Sequence, residues 1–289
     1  MKTILVLTDF SEKASYAAKS AVMFGAKLHA NLLLFNTHVT AALVPQYAGG
    51  PWVVDEIIER ENLSKEKLQA LAEELETDIA TLNSEDGKPT VHVLCGDGSL
   101  PVNVEQIIDE KDIELVVMGA RSDGSIGRIL NGSDTRSVID KSTRPVLVMP
   151  KKTVLKKLNK VVFATDFDEA DLKAVHYLVR LGKLFDFQLE IVHITVPGKT
   201  DTARKAYGPA FLKQVGRLKY PHLVYKVIKG NDIIKRLNDH CDEDGADLLA
   251  LVHYQDSFIV RLLRQSITKQ ALVNQKIPLL VFPSKMDEE

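Results

Sequence analysis

Cysteine is nearly absent: Cys95 and Cys241 are the only two in 289 residues, far apart and outside any Cys-x2-Cys spacing. That excludes a disulfide framework and a cysteine-based zinc site, and it points to a reducing, cytoplasmic setting. No apolar run approaches the roughly 20 residues that a membrane-spanning helix needs. The opening Met1–Leu7 is apolar, but Asp9, Glu12 and Lys13 interrupt it before a secretory core can form. The expectation is a soluble, intracellular, unsecreted protein. Excess charge is also missing: 37 Lys+Arg against 39 Asp+Glu give a formal charge of −2, which argues against a polycation built for nucleic acid. There is no Gly-x-Ser-x-Gly elbow, no His-Glu-x-x-His zinc helix and no Gly-x4-Gly-Lys-Ser/Thr phosphate loop, so catalysis has little support.

What the chain does have is a repeat. Its 289 residues, 45% of them hydrophobic, suffice for one large domain or two of ordinary size. Thr3–Phe10 reappears as Lys160–Phe167, an offset of 157 residues. The following helix repeats the same apolar stripe, Ala17, Ala21, Phe24 and Leu28 matching Ala174, Leu178, Leu181 and Phe185. Asn31–Asn36 matches Gln188–His193 at that offset, whereas Glu114–Gly119 matches Asp247–Val252, and Arg144–Pro150 matches Ile277–Pro283, at 133. The second copy is therefore shorter, by a deletion between its second and fourth strands. Lys151–Lys160, with five lysines, is the joint.

Continuous apolar runs mark strands covered on both faces by helices. In the first copy they fall near 3–8, 31–37, 90–95, 114–119 and 145–149, with helices near 13–28, 54–82, 101–111 and 133–142. The fold class is α/β, two doubly wound domains over 1–150 and 157–289, each an open five-stranded parallel sheet. Ligands of such sheets bind at the carboxyl ends of strands where the strand order reverses. That directs attention to Thr8-Asp9-Phe10-Ser11 and to the segment from Gly119 to Ser133, which holds Gly119, Gly124, Gly127 and Gly132. Glycines running into a helix N-terminus suit phosphate, because backbone N–H groups point outward and the helix dipole adds positive charge. A plain surface turn uses glycine equally well.

These residues resemble the universal stress protein (UspA) family in its tandem form over essentially the whole chain. The resemblance rests on Thr8-Asp9-Phe10-Ser11, on a Gly-x2-Gly-x9-Gly-Ser-like loop, on Arg128-Ile-Leu-Asn-Gly132-Ser133 and on Arg144-Pro-Val-Leu-Val-Met149. It implies flavodoxin-like (adenine nucleotide alpha hydrolase-like) domains and, in many members, bound ATP, with or without Mg²⁺. On matching positions, Thr8 and Asp9 lie at the adenosine end, and Thr37, just past strand two, offers backbone groups to adenine. Gly119, Arg121 and Ser122 line the ribose and phosphate path, and Gly132 and Ser133 cradle phosphates. Two departures oppose this: Ser122 replaces the second motif glycine, and Asp134 puts an anion where phosphates would lie. In the second copy Val252, Gln255, Gln265 and Ser266 stand at the loop positions, so that domain is expected to be degenerate.

The functional expectation is a regulatory ATP-sensing module with its site in the N-terminal domain. A nucleotide-independent interaction protein and a slow ATP hydrolase are the alternatives. The resemblance also implies that Val146–Met149 and Leu279–Phe282 pair within the chain as an internal pseudo-dimer; a homodimer of two chains is left open. By halves the charge is asymmetric, −8 over 1–150 and +6 over 151–289. Mutual attraction of the halves explains this more simply than a nucleic-acid partner at Arg261, Arg264 and Lys269, where no aromatic-interleaved basic motif occurs. Residues 38–55 read as a long connecting loop, and His240-Cys241-Asp242 is rejected as a metal site because consecutive helical residues share no face.

Overall fold

A computed structural model describes residues 2–38, 51–83, 87–120, 133–253 and 277–286. The first half runs β1 (Thr3–Leu7), α1 (Glu12–Leu28), β2 (Asn31–His38), α2 (Pro51–Ala80), β3 (Val91–Asp97), α3 (Leu100–Glu110), β4 (Ile113–Gly119), α4 (Ser133–Lys141) and β5 (Val146–Met149). The second half repeats it with β6 (Lys160–Ala164), α5 (Glu169–Phe185), β7 (Gln188–Thr195), α6 (Thr202–Gly216), β8 (Leu223–Lys229), α7 (Ile233–Glu243), β9 (Leu248–His253) and β10 (Leu279–Pro283). The deletion is visible as α6, 15 residues against the 30 of α2.

The ten strands among the described residues form one sheet in the order β3-β2-β1-β4-β5-β10-β9-β6-β7-β8. Within each half the neighbours are parallel, and the halves join through an antiparallel pair in which Leu147 faces Leu280 and Val146 faces Val281. The two five-stranded sheets expected from sequence are thus halves of a single sheet, and the internal pairing of the last strands is present. Successive residues along a strand point to opposite faces. Ile4 and Val6 accordingly lie in the core layer that includes residues of α1, α2, α5 and α6, and Leu5 and Leu7 in the layer that includes residues of α3, α4 and α7.

Local chemistry sets the elements. Ser11 caps α1 by accepting from the Ala14 N–H, Glu12 sits in the first turn and Lys27 in the last, each complementing the helix dipole. α2 opens at Pro51, a favourable first helical position, so the end of the expected 38–55 loop is helical; 39–50 lie outside the described residues. β3 continues to Asp97, two residues beyond its apolar run, because it pairs with the full length of β2. The lysine-rich joint is packed rather than loose: Leu155 and Leu158 are buried, and the Leu155 N–H donates to Ser20 Oγ at 3.0 Å.

Candidate functional site

In the order 3-2-1-4-5 the chain changes direction between β1 and β4, and the crevice at their carboxyl ends is the expected ligand position. Thr8, Asp9, Asn36, Thr37 and Gly119 meet there around a cleft of about 70 Å³ floored by Ala14, Leu100 and Met118. Thr8 shapes the turn, its Oγ1 accepting from the Phe10 N–H at 3.0 Å while Phe10 takes a left-handed backbone, φ 61°. Such a conformation costs a non-glycine residue about 1–2 kcal/mol, so the turn is held by its surroundings. Asp9 is exposed, with Oδ1 accepting from the Ser11 N–H at 3.0 Å.

Beneath the turn, Asn36 Nδ2 donates to the Thr8 carbonyl at 2.7 Å and Asn36 Oδ1 accepts from Ser64 Oγ at 2.7 Å. Ser64 in turn lies 3.3 Å from Cys95 Sγ, which is 3.4 Å from His38 Nδ1. This half-buried relay ties β1, β2, β3 and α2 together under the cleft. Asn36 is the residue that sequence reasoning passed over; its signal was a polar side chain closing an apolar strand at the position matching His193.

The structure thus brings Thr8, Asp9, Thr37 and Gly119 together. Thr37 lies inside β2, in register with Gly96, and not past the strand end as expected. Gly119 has a packing reason to be glycine: a Cβ there would stand 2.8 Å from the Lys13 carbonyl carbon and 3.0 Å from Ala14 N. Ser133 begins α4 with Asp134 in its first turn. Arg121, Ser122, Gly124, Gly127 and Gly132 lie outside the described residues, as do Gln255, Arg261, Arg264, Gln265, Ser266 and Lys269.

The equivalent place in the second half keeps the turn and changes the chemistry. Thr165 Oγ1 accepts from the Phe167 N–H at 2.9 Å, and Phe167 is again left-handed, φ 68°. At the position of Ala14, however, stands Asp171, buried and accepting from Thr165 Oγ1 at 2.7 Å and the Asp166 N–H at 2.9 Å. Burial pushes its carboxyl up to about 7, and burial likewise raises Asp166 to about 6. His193 replaces Asn36, with Nδ1 2.9 Å from the Thr165 carbonyl and Nε2 2.7 Å from Asp201 Oδ2. Each ring nitrogen thus meets an oxygen, one of the backbone and one of a carboxylate. The cavity beside them is wider, about 430 Å³, but Asp166, Asp168 and Asp201 line it with carboxylates.

Two further polar clusters serve the framework. Glu190, His240 and Asp244 place ligand atoms within 4.8 Å of one another, through the i,i+4 spacing of His240 and Asp244 rather than the consecutive residues rejected from sequence. Lys160 and Lys226 already neutralise them, at 3.1 and 2.9 Å from Glu190 Oε2 and both 2.8 Å from Asp244 Oδ2. A cation would have to displace two ammonium groups, so this is an ion network, with Asp244 held below the usual carboxylate range by its lysine hydrogen bonds. His253, at the position of Ala120, does not fill a cleft of its own half. It reaches across the seam to Asp140 on α4, Nε2 to Oδ1 2.8 Å.

The model of the universal stress protein family matches residues 1–150 and again 157–283. A universal stress protein of Synechocystis is 24% identical over 303 residues, covering 98% of this chain and 100% of that protein. One from Thermus aquaticus is 29% identical over 148 residues, 98% of that protein and 51% of this chain, as expected of a single copy of the repeat. Among solved structures, a universal stress protein from Archaeoglobus fulgidus has a TM-score of 0.69 at 18% identity, covering 97% of this chain and 96% of that one. A functionally unknown protein from Pseudomonas aeruginosa has a TM-score of 0.56 at 13% identity, covering 98% and 92%. These two neighbours share the fold. The family match spans both halves of the repeat, and the chain belongs to the universal stress protein family.

Proposed function

We propose that this chain is a regulatory module that senses ATP through its N-terminal half alone and works in the cytoplasm. The observation that carries the reading is the convergence of Thr8, Asp9, Thr37 and Gly119 at the β1–β4 crevice, at the start of the glycine-rich segment that leads into α4. Asp9 fits the sugar end of a nucleotide: one carboxylate oxygen is engaged by the Ser11 N–H, and among the described residues nothing engages the other. A pair of ribose hydroxyls suits such an acceptor. Gly132, Ser133 and the adjoining backbone amides would hold the phosphates, and Arg121 would add positive charge. In the second half, the buried Asp171 and the carboxylates around Asp166 oppose a polyphosphate, so only one site per chain is assigned. Two free thiols, and the absence among the described residues of any helix long and apolar enough to cross a membrane, agree with the cytoplasmic placement.

One observation favours the alternative, a nucleotide-independent interaction protein: the cleft holds about 70 Å³, below the roughly 300 Å³ of ordinary small-molecule sites. Equilibrium binding of labelled ATP, with and without Mg²⁺, separates the two readings. Saturable binding at one site per chain, abolished by Gly132→Val and weakened about tenfold by Asp9→Ala, is the expected result. Absence of saturable binding by the wild-type chain would refute the ATP reading.

A further inference from the structure

A cavity of about 680 Å³ lies far from the β1–β4 crevice, against the seam between the halves. Its position is at the amino end of β4, opposite Gly119. Leu172, Val179, Leu218 and Met286 give it an apolar floor, and Arg144, Lys173, Arg180 and Lys183 outnumber Glu114 and Glu169 on its walls. Glu114 is already committed: its side chain is 1% exposed, paired with Lys2 at 2.7 Å and with Arg180, which also stacks over Tyr177.

Tyr177 and Glu114 border this groove, and their counterparts in the other half are Ser20 and Asp247. The joint between the halves binds those two residues. The Leu155 N–H donates to Ser20 Oγ at 3.0 Å, and the Asn159 and Lys160 N–H groups donate to Asp247 Oδ2 at 2.6 and 3.0 Å. Leu155 and Leu158, three apart, are buried there, 6% and 1% exposed. The duplicated fold therefore makes two related grooves across the seam. The chain's own joint occupies one, and no described residue occupies the other.

The two grooves differ in charge. Where α1 carries Tyr16, Lys19, Met23 and Ala26, α5 carries Lys173, His176, Arg180 and Lys183 at the matching positions. Their spacing of three, four and three places them on one face of α5. We infer that the open groove is a docking site for a short acidic peptide segment of a partner protein, with two leucine-like side chains three residues apart. The apolar pair takes the places that Leu155 and Leu158 fill in the sister groove, and the carboxylates face the stripe from Lys173 to Lys183. The partner must be acidic because the wall is cationic, whereas the resident joint is itself rich in lysine.

A fluorescein-labelled hexapeptide, Asp-Leu-Glu-Glu-Leu-Asp, tests this by fluorescence anisotropy on the full chain. The wild type is expected to bind it saturably and to ignore the same peptide with both leucines replaced by alanine. The double variant His176→Glu with Lys183→Glu should bind at least about tenfold more weakly, with an unchanged urea midpoint showing an intact fold, since both side chains are exposed. The variant should instead bind Lys-Leu-Lys-Lys-Leu-Lys, which the wild type rejects. Absence of saturable binding, equal binding of the alanine peptide, or undiminished binding by the double variant would overturn the proposal. So would concentration-dependent dimerisation of the wild type that this variant abolishes, which would make a second copy the occupant.

Discussion

Replacing Gly119 by alanine asks what holds that position to glycine. A Cβ built there stands 2.8 Å from the Lys13 carbonyl carbon, 2.9 Å from its oxygen and 3.0 Å from Ala14 N, against 3.4 Å or more for ordinary contact. All three atoms belong to the backbone of the first turn of α1, so no side chain can swing aside. Relief requires that turn to move by roughly 0.6 Å, and it is held by the Ser11 cap and by the left-handed Phe10. Overpacking of this kind costs about 1–3 kcal/mol, and the stiffness of the turn argues for about 2. At about 2.1 cal/mol/K per residue, cooperative unfolding of the whole chain converts this into a fall in Tm of about 3 °C. Unfolding of the first half alone makes it about 6 °C.

Scanning calorimetry reads the shift directly, and the same sample can be titrated with ATP. The displaced turn is capped by Ser11 and follows closely on Asp9, so nucleotide affinity should fall together with stability. A variant that melts within 1 °C of wild type would refute the packing argument. If that variant had also lost ATP binding, Gly119 would serve ligand approach and not the fit of α1.

Arg180→Met should cost about 2 kcal/mol in urea unfolding, because it strips one of two cations from the buried Glu114 while leaving Lys2; an unchanged midpoint would refute a structural role for the pair. Asp171 holds its proton more tightly when folded, about 7 against 3.8, so its contribution is complete below about pH 4 and is lost as pH rises through 7. Asp171→Asn should flatten urea midpoints between pH 4 and 7.5, and a profile parallel to wild type would count against this. Leu280→Asp places a carboxylate opposite the fully buried Leu147 and should destabilise the seam by more than about 4 kcal/mol. Rapid tryptic cleavage within 151–159 should report it; full resistance would mean the halves hold together without β10.

Much of the fold was legible because both copies obey the same simple rules. Apolar runs of five to eight residues gave the strands, and the stripe through Ala17, Ala21, Phe24 and Leu28 gave α1 its buried face. The pairing of Val146–Met149 with Leu279–Phe282 followed from family resemblance, since apolar content does not say which strand lies beside which. Periodicity also misses what long-range contacts add: it ended β3 at Cys95, whereas pairing with β2 carries it to Asp97. At the site, the turn residues Thr8 and Asp9 and the strand-end Gly119 were found from topology. Asn36 was not, because its two hydrogen bonds join residues 28 apart in either direction. The sister grooves were beyond sequence altogether, because they exist only once β5 and β10 have met.

The two halves show what duplication holds constant and what it releases. The Thr-Asp-Phe turn, with its left-handed phenylalanine, survives in both copies although it is strained, so the backbone path is the part held constant. The side chains around it have diverged in one direction: Ala14 against Asp171, Asn36 against His193, Gly119 against Val252. Each change puts charge or bulk where the first half keeps small or neutral groups, and burial penalises the charge at Asp171. A similar divergence accounts for the charge asymmetry of −8 and +6. Acids of the first half meet cations or histidines of the second at the seam, Glu114 with Arg180 and Asp140 with His253. Most of the stripe on α5, however, faces the open groove and not the first half. Attraction between the halves therefore explains the charges at the contact, while His176 and Lys183 are exposed on the wall of the groove.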